Sequence, residues 1–524
     1  MNQPDLLDRK SLLLSALIIV LLVLLCGTGS LYVLSDPAIA DVLSLTAAAI
    51  MIDSVYHDEV DWKQLVGTAR EEIFGRLDRY SAYMDRDRFT EIDEQFEGSY
   101  TGIGISVVSH DEGLLIMSVR EDGPAAEVGL LPGDVIIGVD SVMLAGLSAD
   151  EAVTHLRGEE NTAVVVQMRR PATEEVFEVE LTRRRIPFLH IPFAGYTPDS
   201  MVYIRLLDFD AGATDDLRRA LDSLRQGRGL SARGLILDLR GNPGGLFKEA
   251  YRTADLFLDE GVFMVGTEGR SRWHNRKHYS SGGDVTGGLP MAVIVDRGSA
   301  SAAEIVAGAL QASGRAVLVG DTTFGKGLVQ GFVRFPGGDG VRLTISRYYF
   351  EGPVYLNDFD STLSDTGHGL VPDYHFDVYQ INPLRRALEN SLLLRQFAER
   401  HQDEILAALE SDTLGDRWVG RFDTYAAEND FAFDSPLTAL ALELKATAEL
   451  DKSSLATRRV AESVIQRARQ LDRVRLQQDG GYIKDRLARI AYERKYGTYR
   501  TYKEVLIHSR PEIEFASKLL VKGD

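Results

Sequence analysis

Cysteine is nearly absent: one residue, Cys26, in a chain of 524. No intrachain disulfide can form, so stability has to rest on buried apolar surface. Basic charge is also short, with 58 Lys and Arg against 78 Asp and Glu and a formal net charge of −20. That deficit argues against nucleic acid as a partner and suits a solvated domain outside a membrane. Histidine is sparse and scattered, ten residues in all. His274 and His278 share an i, i+4 spacing but lack the His-Glu-x-x-His context, so no zinc is expected. Gly-x-Ser-x-Gly is missing, which removes one familiar serine-hydrolase elbow. Walker and dinucleotide signatures are missing too, since Gly102-Ile-Gly104 is not followed by the required spacing. No internal repeat is evident, and no metal or cofactor is expected.

What is present is a glycine-rich turn, Asp238-Leu-Arg-Gly-Asn-Pro-Gly-Gly245, between the apolar run 234–237 and a helical pattern starting near Leu246. Glycines permit backbone conformations that aim amide N–H groups into a site. Two later segments repeat the layout. Met291-Ala-Val-Ile-Val295 runs into Gly298-Ser-Ala-Ser-Ala-Ala-Glu304 and a small-residue helix from about Ala302 to Ala312. Ala316-Val-Leu-Val319 is followed by Gly325-Lys-Gly327. This pattern predicts parallel strands buried on both faces. Ligands collect beyond the C-terminal ends of such strands, where the turn, Ser301 and Lys326 all fall.

A hydroxyl is a poor nucleophile until a base takes its proton, and a desolvated lysine can be that base. Phe324 and the small neighbours Gly325 and Gly327 favour a dry setting for Lys326. The amide of Ala302, with one from Gly244 or Gly245, can hold a tetrahedral oxyanion; one such donor is typically worth ~3 kcal/mol of barrier. A serine at an Ala-rich helix start is ordinarily a cap, a role expected of Ser299, and a lysine between glycines is ordinarily solvated. Joint placement at three strand ends points instead to acyl transfer by a Ser–Lys pair.

On these residues the chain resembles the C-terminal processing peptidases, or tail-specific proteases. The matching motifs are Asp238–Gly245, Ser299-Ala-Ser-Ala-Ala-Glu-Ile305 and Gly325-Lys-Gly-Leu-Val-Gln330. The resemblance implies Ser301 as nucleophile, Lys326 as general base and Gln330 as the residue that orients the lysine. Ala303 departs from a common serine, at a position that is not the nucleophile. Gly369-Leu-Val-Pro-Asp373 resembles the end of the family's core.

Tyr100-Thr-Gly-Ile-Gly-Ile105, Gly123-Pro-Ala-Ala126, Gly129-Leu-Leu-Pro-Gly-Asp-Val-Ile-Ile137 and a helix near Ala149–Arg157 resemble a PDZ domain. Such a domain binds a chain terminus by adding it as a strand. The resemblance implies an open loop at Gly102 and Gly104, and a pocket lined by Ile103, Ile105, Val153 and Leu156. For each apolar residue alone, core packing is the ordinary role. Asn161 stands where glycine is frequent.

Residues 11–34 carry no charge and are long enough to span a bilayer. Arg9 and Lys10 precede them, which predicts an N-terminus inside and an uncleaved single-pass anchor. A cleaved signal peptide is the rival. A hairpin is expected around Gly337-Gly-Asp-Gly340. Beyond about 384 the pattern is helical, with an apolar stripe at Val460, Val464, Leu471 and Val474 and a break at Asp479-Gly-Gly481. The Tyr- and Arg-rich segment that follows reads as a solvated surface, or else as a docking or oligomerisation arm.

Length alone predicts three or four domains. The expected architecture is an α/β multidomain protein: cytoplasmic tail 1–10, transmembrane anchor 11–34, helical region 37–94, inserted PDZ domain 97–185, crotonase- or ClpP-like α/β serine protease core 186–380 and helical extension 384–524. The expected activity is membrane-anchored serine endopeptidase on the periplasmic or extracellular side. Its partners would be proteins with apolar C-terminal tails, with an adaptor or activator and a homo-oligomer left open. An inert PDZ scaffold and a crotonase-like acyl-CoA enzyme are the alternatives.

Overall fold

The computed structural model describes residues 37–171, 173–228, 232–351, 354–356, 369–376, 383–411, 414–429, 431, 433, 435–450, 455–507 and 510–522. The expected anchor at 11–34 lies outside them. Among the described residues no helix is long and apolar enough to cross a membrane.

Three apolar runs become the centre of one sheet. Its strands are β1 (Phe193–Tyr196), β2 (Val202–Arg205), β3 (Leu235–Asp238), β6 (Met291–Val295), β7 (Val317–Gly320) and β10 (Tyr374–His375), hydrogen-bonded in that spatial order. All neighbours from β2 to β10 are parallel; only the edge pair β1–β2 is antiparallel. Met201–Leu206 therefore holds the second core strand, because the edge strand β1 precedes it. Every residue of β3 and β6 is buried, as expected of strands covered on both faces. On one face Val202, Ile204, Leu235, Leu237 and Val293 pack with helices α1 (Ala213–Arg228), α2 (Phe247–Asp255) and α3 (Ala302–Ala312). On the other, Tyr203, Ile236, Ala292 and Ile294 pack with Ile513 and Ala516 of helix α4 (Pro511–Lys522). The split follows from the two-residue alternation of strand side chains.

The second core sheet is antiparallel. It contains β4 (Phe263–Glu268), β5 (Arg276–Tyr279), β8 (Leu328–Arg334) and β9 (Gly340–Phe350), in the order β8–β9–β4–β5. The expected hairpin is β8–β9. Helix α3 is buried from Ala302 to Leu310, and a Cβ on Gly308 would meet the Phe350 ring at 2.3 Å. Apolar residues on almost every side, with alanine or glycine at 302, 303, 307, 308 and 309, let this helix be buried between both neighbours.

Residues 105–182 form a separate sheet of antiparallel strands, Ile105–His110, Gly113–Val119, Val135–Val139, Ala163–Arg170 and Glu175–Thr182, covered by helix Ala149–Leu156. Ser148 and Glu151 form a capping box at its start. Asn161 adopts the left-handed conformation, φ 65°, which explains how it serves where a glycine would.

The expected helical region 37–94 holds helices Pro37–Val55, Trp62–Gly75 and Arg86–Glu97, with a short strand at Ala82–Met84. In the first helix Val42, Leu45, Met51 and Val55 are exposed. The C-terminal extension is helical from Pro383 onward, and Asp479 separates helices Leu455–Gln478 and Gly480–Thr501. Val460 and Val464 are exposed. The basic excess after Asp479 is solvated only in part: Lys495 and Arg500 are exposed, while Arg486, Arg489 and Arg494 are half-buried. Arg486 grips Glu389 through two bonds of 2.6 Å, Arg385 pairs with Asp479 at 3.0 Å, and Tyr482, Tyr492 and Tyr496 pack on the Phe397–Trp418–Phe422 core.

Candidate active site

The glycine turn, the start of α3 and the loop after β7 converge beyond the C-terminal ends of β3, β6 and β7. Ser301 caps α3 with φ 55° and ψ −112°. That conformation costs a serine ~1–3 kcal/mol, so the surrounding structure has to hold it. The clamp is Glu304, one turn on and fully buried. Its carboxylate accepts from Ser301 N at 2.8 Å, Lys326 N at 2.9 Å, Gly325 N at 2.7 Å and Thr323 Oγ1 at 2.6 Å. Burial pushes the Glu304 carboxyl above its usual range, and the four donors pull the other way. One side chain thereby ties the Ser301 backbone to the Lys326 backbone. Tyr348 adds a second tie, its hydroxyl donating to Lys326 O at 2.7 Å and to Ser301 O at 3.3 Å.

Lys326 is half-buried, and its Nζ donates to Gln330 Oε1 at 3.0 Å. Gln330 begins the bulge in the β8–β9 register, which aims it back at the loop. No hydrogen bond joins Ser301 to Lys326 among the described residues. Phe324 does not give the dry packing expected of it: it is 46% exposed, and its N–H donates to Ser299 O at 3.0 Å.

Gly244 comes up against the serine, and Gly245 against the Phe209 backbone, because neither has a side chain. A Cβ on Gly244 would stand 2.8 Å from Ser301 Cβ and 2.9 Å from Ala302 N. A Cβ on Gly245 would stand 2.5 Å from Phe209 C. Both sit at positive φ, 101° and 150°, where other residues are strained. The two glycines differ in one respect that matters. The Gly244 N–H is spent on Asn242 Oδ1 at 2.9 Å, so Gly244 shapes the turn and does not offer a free donor. The N–H groups of Gly245 and Ala302 have no acceptor among the described residues. Ala302 N is one of the unpaired donors that every helix start leaves.

Asn242 is the bracket of the turn. Fully buried, it donates to Leu206 O at 3.1 Å and accepts Ala300 N at 2.9 Å. Ser299 is not the cap of α3. Its hydroxyl donates to Leu239 O at 2.8 Å and receives Asp296 N at 3.0 Å, welding the serine turn to β3. Behind the turn, Asp238 lies between Arg205 at 2.7 Å and Arg240 at 2.9 Å and accepts Tyr203 Oη at 2.6 Å. Burial alone would raise Asp238, but the two guanidiniums outweigh it and hold its carboxyl well below the usual range. On the other flank, Phe209 N donates to Gly244 O at 2.9 Å and Leu246 N to Phe209 O at 2.8 Å. Next to Phe209, His190 Nδ1 meets Asp208 Oδ1 at 2.6 Å. Burial, helped by the Asp208 charge and opposed by His190, pushes Asp210 up to about 7.

His274 and His278 do not converge on a shared site. His278 stacks on Tyr251, ring centroids 4.6 Å apart. In the 97–185 segment, Ile103 and Leu156 are buried in the sheet's apolar core, so of the four expected lining residues only Ile105 and Val153 keep appreciable accessible surface. Gly102 pairs with Arg184 and Gly104 turns at φ 81°. Sequence reasoning missed Glu304 as a positioning group, although Ser301-x-x-Glu304 has capping-box spacing. Tyr348 carried no signal, since it reaches the site only through β-pairing.

Residues 200–358 match the model of Peptidase family S41, and residues 101–181 match that of the PDZ domain. The carboxy-terminal processing protease CtpA of Bacillus subtilis (strain 168) is 34% identical over 305 residues, 58% of this chain and 64% of that protein. The carboxy-terminal-processing protease of Bartonella bacilliformis is 32% identical over 314 residues, 60% of this chain and 70% of that protein. CtpB of Bacillus subtilis is 28% identical over 424 residues, 79% of this chain and 82% of that protein. The chain thus spans 64% of the length of the first of these relatives and somewhat more of the others.

Proposed function

The chain belongs to the carboxy-terminal processing proteases of peptidase family S41, and from that premise we propose that it is a serine endopeptidase cutting protein substrates near their C-termini. The nucleophile is Ser301 Oγ. Lys326 Nζ, in its neutral form, takes the hydroxyl proton as the oxygen attacks the scissile carbonyl. Gln330 Oε1 holds the amine in place. The carbonyl oxygen, now an oxyanion, lies against the N–H groups of Gly245 and Ala302; the α3 dipole adds to their pull. The lysine returns its proton to the leaving amine, and water then resolves the acyl-serine by the same route.

The observation that carries this reading is the Glu304 carboxylate, which fixes the backbones of Ser301 and Lys326 at 2.8 and 2.9 Å from its oxygens. A helix start and a loop that merely packed together would not need a buried carboxylate between them. We read the parallel strand–helix–strand core as crotonase-like and the PDZ domain as the module that captures an apolar substrate tail by strand addition. The uncharged run 11–34, with Arg9 and Lys10 before it, supports a single-pass anchor with the catalytic body on the periplasmic or extracellular side.

The test is turnover of an unstructured protein with an apolar C-terminal tail. Ser301→Ala and Lys326→Ala each remove it, with unchanged circular dichroism and melting. Cleavage retained by either folded variant overturns the assignment.

A further inference from the structure

Helix α4 comes from the far end of the chain, yet one of its residues reaches the machinery behind the glycine turn. Glu512, in its first turn, is fully buried. One carboxylate oxygen pairs with Arg240 Nη1, and Arg510 Nη1 approaches the same oxygen at 3.3 Å. The other oxygen is buried without a hydrogen-bond partner among the described residues. Arg240 is itself buried, and it shares Asp238 with Arg205. Two guanidiniums against one carboxylate would leave a positive charge in a dry place. Glu512 supplies the second negative charge, which the buried Arg240 shares with the less buried Arg510.

Docking alone does not require this residue. Ile513 and Ala516 already bury α4 against Tyr203, Ile236 and Ile294, and a buried ion pair is generally no more stabilising than an apolar pair of the same volume. An oxygen without a partner makes the carboxylate costlier still. Its position is better explained by what Arg240 holds. Arg240 N donates to Asp238 Oδ1 at 3.0 Å, and its carbonyl accepts from Arg205 Nη2. Gly241 N donates to Asp296 Oδ1 at 2.7 Å, and Asn242 brackets both Gly244 N and Ala300 N. From Arg240 the backbone therefore runs through fixed bonds to Gly244, which stands against Ser301, and on to Gly245, whose N–H has no acceptor among the described residues.

We propose that Glu512 is a positioning residue for the oxyanion turn: by neutralising Arg240 it holds Arg240–Gly245 in the geometry that presents the Gly245 N–H, so that the catalytic core is complete only with α4 docked. The inference rests on the reading of Ser301 as nucleophile. It makes the C-terminal helix part of the peptidase and gives docking of α4 a direct effect on turnover.

The test compares Glu512→Gln and Glu512→Leu with the wild type in the full-length protein, well below each variant's melting temperature. Two readouts are taken: steady-state cleavage of an unstructured, apolar-tailed protein, and amide hydrogen exchange by mass spectrometry. Loss of positioning lowers kcat at least about tenfold with KM within about twofold, because the lost contact matters at the transition state. Exchange speeds up over residues 239–246 while residues 511–522 exchange as in the wild type. Leucine, which keeps the packing, is as inactive as glutamine. The proposal is overturned if kcat stays within about twofold of wild type, or if exchange over 239–246 is unchanged. It is equally overturned if exchange rises over 511–522 as well, for then Glu512 only docks the helix. A wild type without peptidase activity would sink the functional reading, and the exchange pattern would still decide the role of Glu512.

Discussion

Ser301 sits in a backbone conformation that serine avoids, and the residues that force it there are the ones that define the site. Glu304 and Tyr348 hold its N–H and carbonyl, while Gly244 leaves room for its Cβ. The motif spacing made Ser301, Lys326 and Gln330 legible, because their chemistry shows in residue type. Ser299 was misjudged as a cap for a physical reason. A serine three residues before a helix looks the same in sequence whether it bonds forward into the helix or sideways to Leu239 O. Asp210 offers a further residue-level prediction. Its carboxyl titrates at about 7 in the fold against 3.8 in the open chain. A raised folded-state value means that folding takes up a proton. The resulting stability is full below about pH 4 and fades as pH rises through about 7. Asp210→Asn, neutral at every pH, should lose that part of the slope. Its melting temperature should fall less than the wild type's between about pH 5 and 8 and exceed it at the upper end. Parallel melting curves for the two proteins across that range would contradict the burial argument.

At the scale of elements, the buried parallel strands were readable because strands covered on both faces are apolar at every position, as β3 and β6 are. The turn after β3 was readable from its glycines, but the division of labour between them was not. Only the geometry separates Gly244, whose N–H is spent on Asn242, from Gly245, whose N–H is free among the described residues. Gly244→Ala tests the turn as an element. Alanine at φ 101° is strained, and its Cβ would press on Ser301 Cβ at 2.8 Å. The expected outcome is a stability loss of ~1–3 kcal/mol in urea unfolding and a kcat reduced at least about 100-fold, comparable to losing an oxyanion donor. A wild-type kcat would show that the turn tolerates displacement and plays no part in the chemistry. The Tyr- and Arg-rich helix after Asp479 is only in part the solvated surface expected of it. Composition shows charge, and it does not show that Glu389 and Asp479 come within reach of Arg486 and Arg385.

Across the whole molecule, long-range pairing was the part the sequence could not reveal. Arg240 and Glu512 are 272 positions apart, and no local pattern links them. The same holds for the loop that carries Phe209. Ala211 N donates to Gln95 O, and Phe188 N to Gly98 O, each at 3.0 Å. The segments entering and leaving the PDZ domain are thereby bonded to each other's surroundings and to the loop that touches the glycine turn. A tail held by the PDZ domain, as proposed above, would bias the site through such contacts if it binds one arrangement more tightly than the other. All of this presupposes that Ser301 is the nucleophile. The most direct measurement is peptide mapping by mass spectrometry after labelling the full-length protein with a fluorophosphonate. The account predicts a single adduct on Ser301, absent from Ser301→Ala and much reduced in Lys326→Ala. An adduct on another residue, or tail cleavage that continues when Ser301 is fully modified, would contradict it.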